Sequence, residues 1–157
     1  MRNQQERLGI EQWIVGFTDG EGCFSVSMFR NKTTKSGWQV FPEFVITQGE
    51  KSLPALHLFE KYFQCGKIFI NKRYDNHNEH LYRYCVRSIN DLNAKIIPFF
   101  RKNSLYTAKQ KDFEIFAEIV QMTLDRKHLT ERGLKIIAKK IEKMNRKTPS
   151  QFLKSSE

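Results

Sequence analysis

Apolar residues recur along this chain with two periods, and the period switches in a regular order. Period two marks four strands. Residues 23–29 place Phe24, Val26 and Met28 on one face. Residues 38–47 place Val40, Phe44 and Ile46 together, with Pro42 marking a bulge or a weak point. Residues 67–73 pair Ile68 with Ile70, and 81–87 align Tyr82, Tyr84 and Val86. The turn-rich stretches 31–37 and 75–79 join these strands into two hairpins. Helical spacing lies between and after them. Residues 8–18 repeat Ile10, Trp13, Ile14 and Phe17, and Ser52 caps a helix with Leu53, Leu56, Phe59 and Phe63 inward. Ser88 and Asp91 form a capping box for a helix that Pro98 breaks or kinks. Thr107 and Gln110 form a second box ahead of Phe113, Phe116, Ala117 and Val120. Leu134, Ile137, Ala138 and Ile141 mark an amphipathic helix over 130–146, and 148–157 should fray.

The order α-ββ-α-ββ-α-α-α predicts an α+β fold, one antiparallel sheet with helices on one face. It forms a single domain over 1–147, with a core at 8–125 and the basic helix appended. No internal repeat is visible, and the first helix is not duplicated. A chain of 157 residues with 13 Phe can bury a real core, which excludes wholesale disorder. Its apolar runs are too short to span a membrane, and the N-terminus lacks the apolar stretch of a secretory signal. Cys23, Cys65 and Cys85 are too widely spaced for a disulfide framework, and Cys23 and Cys65 read as buried small hydrophobes.

Charge narrows the partners. The net charge is +10, which favours a polyanion, nucleic acid before an anionic membrane. The excess is uneven. Residues 126–157 hold ten Lys/Arg against three acids, and the rest holds 17 against 14. The last fifth is thus a basic appendage, there to contact phosphates or to present a solvated face.

One segment breaks local rules. The first helix ends in residues 16–22, GFTDGEG, with three glycines and two acids. Acids at a helix C-terminus oppose the macrodipole by roughly 0.3–1 kcal/mol each, and the glycines cost backbone entropy. Such violations concentrate at functional sites. A divalent cation would reverse the sign, since Asp19, Glu21 and nearby carbonyls are hard oxygen donors suited to Mg²⁺. A glycine-rich cap with solvated acids is the competing reading.

Residues 14–22, IVGFTDGEG, resemble the signature of the LAGLIDADG homing endonucleases through Gly16, Asp19, Gly20, Gly22 and the acid at 21. The resemblance continues through 44–48, 66–70, 82–92, 96–100 and 107–116, in order and spacing, over about residues 8–125. It implies the α-ββ-α-ββ-α fold of that family, with its sheet a saddle over double-stranded DNA. A single motif implies a homodimer, joined through Trp13, Val15, Gly16 and Asp19. Asp19 structures the helix junction in the same resemblance. The implied activity is metal-dependent hydrolysis of a long pseudo-palindromic site to leave 3′ overhangs, in the service of intron mobility. Glu21 and the Gly20 carbonyl would bind Mg²⁺, or Mn²⁺ or Ca²⁺ in a crystal. Gln48 would orient water, and Lys109 would stabilise charge at the phosphate, with Lys111 its neighbour in an alternative alignment and Lys51 in support. Their competing readings are a strand-end polar residue and a solvated lysine.

The saddle face would carry Ser25, Ser27, Phe29 and Asn31, then Gln39, Phe41, Glu43 and Val45. Phe69, Asn71 and Arg73 follow on the third strand, and Arg83, Cys85 and Arg87 on the fourth. That mixture suits base-edge readout, or else packing on protein. Lys32, Lys35 and Lys72 would meet phosphates. A maturase that binds intron RNA and a non-catalytic DNA-binding regulator are the rival functions, and Glu21, Gln48 and Lys109 together favour the nuclease. His77 and His80 read as polar turn residues rather than metal ligands. The sequence places the chain in no compartment; an intron-encoded member would be made in a chloroplast or mitochondrion, and otherwise the expectation is a bacterial cytoplasm.

Overall fold

A computed structural model describes residues 3–75, 79–144 and 151–155. Helix α1 (Gln4–Glu21) leads straight into strand β1 (Gly22–Arg30), which pairs antiparallel with β2 (Trp38–Gly49). Helix α2 (Leu53–Phe63) precedes β3 (Lys67–Asn71) and β4 (Leu81–Val86). The sheet order is β1-β2-β4-β3, every pair antiparallel, so the two hairpins meet at β2 and β4. Pro42 causes no bulge. It pairs with Val26 on a stretch of β2 that precedes the first β4 pairing, at Phe44, so its missing N–H costs no bond on that side.

The helical layer follows. A short helix α3 (Ile89–Asp91) passes through a π-helical turn (Leu92–Ile96) into α4 (Ile97–Lys102). Pro98 lies just past that wide turn, the helical irregularity that a residue without an N–H favours. Then come α5 (Lys109–Leu124) and α6 (Glu131–Glu142), linked by a 3₁₀ turn (Lys127–Leu129). Sheet residues Phe24, Val26, Val40, Phe44, Ile46, Tyr84 and Val86 are buried against Ile14, Phe59, Phe100, Phe113 and Phe116 of the helices. The rings interlock edge to face; Phe24 and Phe100 sit at 88° with centroids 5.3 Å apart.

Several expectations change on the structure. Ser52 stands at the N-cap of α2 but makes no capping bond. Ser88 does cap, accepting from the Asp91 amide at 3.3 Å. Thr107 and Gln110 do not form their box: the Thr107 amide is taken by Asp19, and Gln110 accepts instead from Leu105. Cys23 is exposed and Cys65 half-buried, because Cys23 lies on the open face of the sheet. Ile70 is 47% exposed, since β3 is an edge strand with little above it. The stretch expected to fray includes a helical turn, α7 (Gln151–Lys154). It is held by Phe152, buried with its ring 5.2 Å from Trp38. Residues 145–150 and 156–157, and with them parts of the expected basic helix and tail, lie outside the described residues, as does His77. No described helix is long and apolar enough to cross a membrane.

Candidate functional site

The motif forms the last turn of α1 and the corner into β1. Gly22 makes this corner possible. A Cβ there would lie 2.7 Å from Thr18 Cγ2 and 2.9 Å from the Thr18 carbonyl oxygen. The helix end carries no basic residue of its own. Lys109, at the start of α5, supplies the charge from across the fold. Its Nζ donates to the Thr18 and Asp19 carbonyl oxygens, both at 2.9 Å. Asp19 returns the favour to the other helix. Its carboxylate accepts from the Tyr106 amide at 2.7 Å, the Thr107 amide at 3.2 Å and the Thr107 hydroxyl at 2.6 Å. An orphan N-terminus and an orphan C-terminus thus cap each other. Burial raises the Asp19 pKa, but the Thr107 hydroxyl, the two amides and Lys109 lower it more, so the carboxyl sits below its ordinary value.

With Asp19 committed, Glu21 is the free acid of the motif. It is exposed, and its side chain makes no hydrogen bond or ion pair with a described residue. Gly20, also exposed, precedes it. A carboxylate and a backbone carbonyl are hard oxygen donors of the kind Mg²⁺ takes. Among the described residues no three His, Cys, Asp or Glu side chains converge on a metal site, so one chain offers only part of a coordination shell. Gln48 extends β2 two residues beyond the Ile46–Gly22 pair, at the sheet end where α1 enters β1. It is half-buried, and its side chain has no hydrogen bond to a described residue. Lys111 is exposed on α5. The Lys51 amide donates to the Glu79 carboxylate at 2.6 Å, so this residue's described role is in a turn.

The residues expected at a dimer interface divide. Val15 is buried in the chain's own core, and Trp13 packs on Phe17 and Phe59 at 5.0 and 5.4 Å. Asp19 holds α5. Gly16 remains exposed, and a Cβ on Gly9, Gly16 or Gly20 would meet nothing within 4 Å. By helical geometry these three glycines line the face opposite the buried Glu11, Ile14, Val15 and Thr18. That open stripe was missed as a unit because only the motif itself was read.

Strand parity assigns Ser25, Ser27 and Phe29, Gln39, Phe41, Glu43 and Val45, Phe69 and Asn71, and Arg83 and Cys85 to the face away from the helices. Register sets them in rows: Cys23–Val45–Cys85–Lys67, then Thr47–Arg83–Phe69. Val45 and Cys85 are 6% and 3% exposed, so they floor the saddle and cannot offer the contact expected of them. Burial pushes the Cys85 thiol up. Asn31 and Gln39 bond each other at 2.7 Å, and Arg73 pairs with Asp75 at 3.2 Å. Lys32, Lys35, Asn71 and Lys72 stand exposed at the strand ends and turns. Arg83 and Arg87 both reach Glu43, at 3.4 and 2.7 Å.

Fold and face together define a class: a four-stranded antiparallel saddle with an acid-tipped helix running into its first strand. The chain belongs to the LAGLIDADG endonuclease family, whose sequence profile matches residues 14–120. A relative from Neurospora crassa, "Probable intron-encoded endonuclease 2", is 39% identical over 125 residues, which cover 80% of this chain and 27% of that protein. "Homing endonuclease I-ApeII" of Aeropyrum pernix is 32% identical over 117 residues, 74% of this chain and 65% of that protein. The chain spans about a quarter of the length of the Neurospora and Podospora relatives it matches. Among solved structures, the homing endonuclease I-TnaI superposes with a TM-score of 0.81 at 36% identity, covering 93% of this chain and 95% of that one. I-SmaMI, bound to an uncleaved DNA target with calcium ions, superposes at 0.82 and 33% identity, over 93% of this chain and 48% of that one.

Proposed function

We propose that this chain is a site-specific double-strand DNA endonuclease that works as a homodimer. The observation that carries the reading is the free Glu21 carboxylate at the end of a helix whose neighbouring acid is already committed. Two copies packed along Gly9, Gly16 and Gly20 would bring two Glu21 carboxylates together. The family and the calcium-containing DNA complex of I-SmaMI support a divalent cation there, and we read it as Mg²⁺. Glu21 and the Gly20 carbonyl would hold such an ion, which would supply charge stabilisation to the oxygens of a phosphodiester under attack.

The chain's own groups do the rest. Lys109 spends two of its three N–H donors on α1 carbonyls and keeps one for a phosphate oxygen. Gln48, half-buried at the same sheet end, has a side-chain amide without a partner among the described residues, available to hold the attacking water. The saddle face meets the target, with Lys32, Lys35 and Lys72 on its phosphates. A two-fold dimer reads a pseudo-palindrome, and cuts on either side of the axis leave short 3′ overhangs. The biological role is movement of a host intron, in an organelle if the chain is intron-encoded like the relatives' names state.

The test is a cleavage-site selection. Purified protein and its Glu21→Gln variant are incubated with a palindrome-biased random DNA library and Mg²⁺. Mg²⁺-dependent double-strand cuts that vanish in Glu21→Gln are the expected result. Binding without cutting by the wild type overturns the enzyme and leaves a DNA-binding regulator. No DNA preference, with retention of intron RNA, gives the maturase instead.

A further inference from the structure

The most organised part of the saddle is a single acid beneath two arginines. Glu43 Oε2 accepts from Arg87 Nε at 2.7 Å, and Oε1 from Arg83 Nη2 at 3.4 Å. The Glu43 side chain is 13% exposed, while those of Arg83 and Arg87 are 37% and 40% exposed. The carboxylate therefore lies under a roof of two guanidiniums. Arg87 is fixed further by aromatic rings, its Cζ lying 4.8 Å from the Phe69 centroid and 5.7 Å from that of Phe41. One Nη2 proton points to Cys85 Sγ at 3.9 Å.

A free acid on a face that meets DNA is costly, because phosphates repel it. We propose that Glu43 is a positioning residue that presents Arg83 and Arg87 to guanine bases and discourages them from tracking phosphates. This rests on the DNA reading above. The donor count favours it. With Nε committed to Glu43, Arg87 keeps its two Nη1 protons and one on Nη2, the end-on pair that guanine O6 and N7 accept. The rings on Arg87 favour this position over a swing to the rim. The carboxylate beneath lowers the local charge from +2 to +1, which weakens the pull on a phosphate more than that on a neutral base edge. In this proposal Glu43 acts through the two arginines rather than by touching a base itself.

The test is binding selection from a randomised DNA library without divalent cation, with wild type, Glu43→Gln, Glu43→Asp and Arg87→Lys. Wild type should enrich guanine at defined positions. Glu43→Gln should lose about tenfold of that preference, the scale of one bidentate contact. It should also bind non-cognate DNA more tightly, with a salt dependence steeper by about 0.9 in log–log slope for each added phosphate contact. Glu43→Asp keeps the charge but cannot span both guanidiniums, so it should lose guanine preference with the slope unchanged. Arg87→Lys should do the same. Thermal melts check folding, and if Glu43→Gln melts early, the Glu43→Asp profile decides. A position profile unchanged in the glutamate variants, with only a uniform affinity change, overturns the proposal alone. A wild type that enriches no sequence overturns it together with the DNA reading.

Discussion

Replacing Asp19 with Asn tests the reciprocal cap between α1 and α5. The substitution keeps size and shape but removes the charge and turns one acceptor oxygen into a donor. The Tyr106 amide 2.7 Å away then faces either an NH₂ group or a weaker neutral acceptor, and the Thr107 amide and hydroxyl share what remains. Hydrogen bonds to a charged group are worth about 1.5–3 kcal/mol each before exposure is counted. A lost N-terminal cap costs about 0.5–2 kcal/mol. These bonds are exposed, so the lower end of the first range applies, and the expected loss is about 2 kcal/mol. At 2–4 °C per kcal/mol for a chain of this size, Tm should fall by about 4–8 °C. The pH dependence gives the sharper test. The Asp19 pKa is lower in the folded chain than in the unfolded one. Its stabilisation is therefore complete above about pH 4, the unfolded value, and is lost as pH falls through the folded value. Wild type and Asp19→Asn should differ fully at pH 7 and converge in acid. Denaturant melts from pH 7 down to pH 2, with hydrogen exchange of the Tyr106 and Thr107 amides, measure this. A difference that is constant with pH, or below about 0.5 kcal/mol at pH 7, would refute the cap.

Other consequences are as direct. Gly22→Ala should cost about 1–3 kcal/mol by denaturant melt, since its methyl meets the Thr18 backbone oxygen at 2.9 Å and helix cannot yield to strand elsewhere. Thr18→Val should raise stability by about 1 kcal/mol, because the buried Thr18 hydroxyl has no partner among the described residues; a lower Tm would show an unrecognised bond. Lys109→Met should both lower Tm by freeing the Thr18 and Asp19 carbonyls and abolish cleavage, whereas Lys111→Met should do neither; equal effects of the two would remove Lys109 from the site. Phe100→Ala, at the centre of the ring cluster, should cost about 3–5 kcal/mol in the same melts without changing which DNA sequence is selected.

The strands were legible because alternation is a local signal. Phe24 and Val26, or Tyr84 and Val86, declare their face within a few residues. So were the capping role of Ser88 and the amphipathic helix over Leu134 and Ile141. Parity, however, says which face a residue is on and not what stands beside it. Val45 and Cys85 were placed on the right face yet are covered by neighbours from other strands, which only register brings together. The same holds for Glu43, whose partners are 40 and 44 positions away. Asp19 and Lys109 each find their bonds about 90 residues off, so the resemblance could give Asp19 a structural role and Glu21 the metal, but the partners that hold Asp19 lay beyond any local pattern. The Thr107–Gln110 box failed for that reason: a local pairing lost to a charged acceptor from another helix. Phe152 defeated the expectation of fraying in the same way, through a single ring in contact with Trp38.

The sheet's edge at β3 has a consequence for self-association. Strand β3 is short and largely exposed, and its outward N–H and C=O groups are an invitation to another strand. Lys67, Lys72 and Arg73 bracket it with like charge, which repels a second copy of the same edge. Neutralising the three with Gln should leave the chain folded but bring on edge-to-edge aggregation, seen as light scattering that grows with concentration. Unchanged scattering would mean that the edge needs no guard.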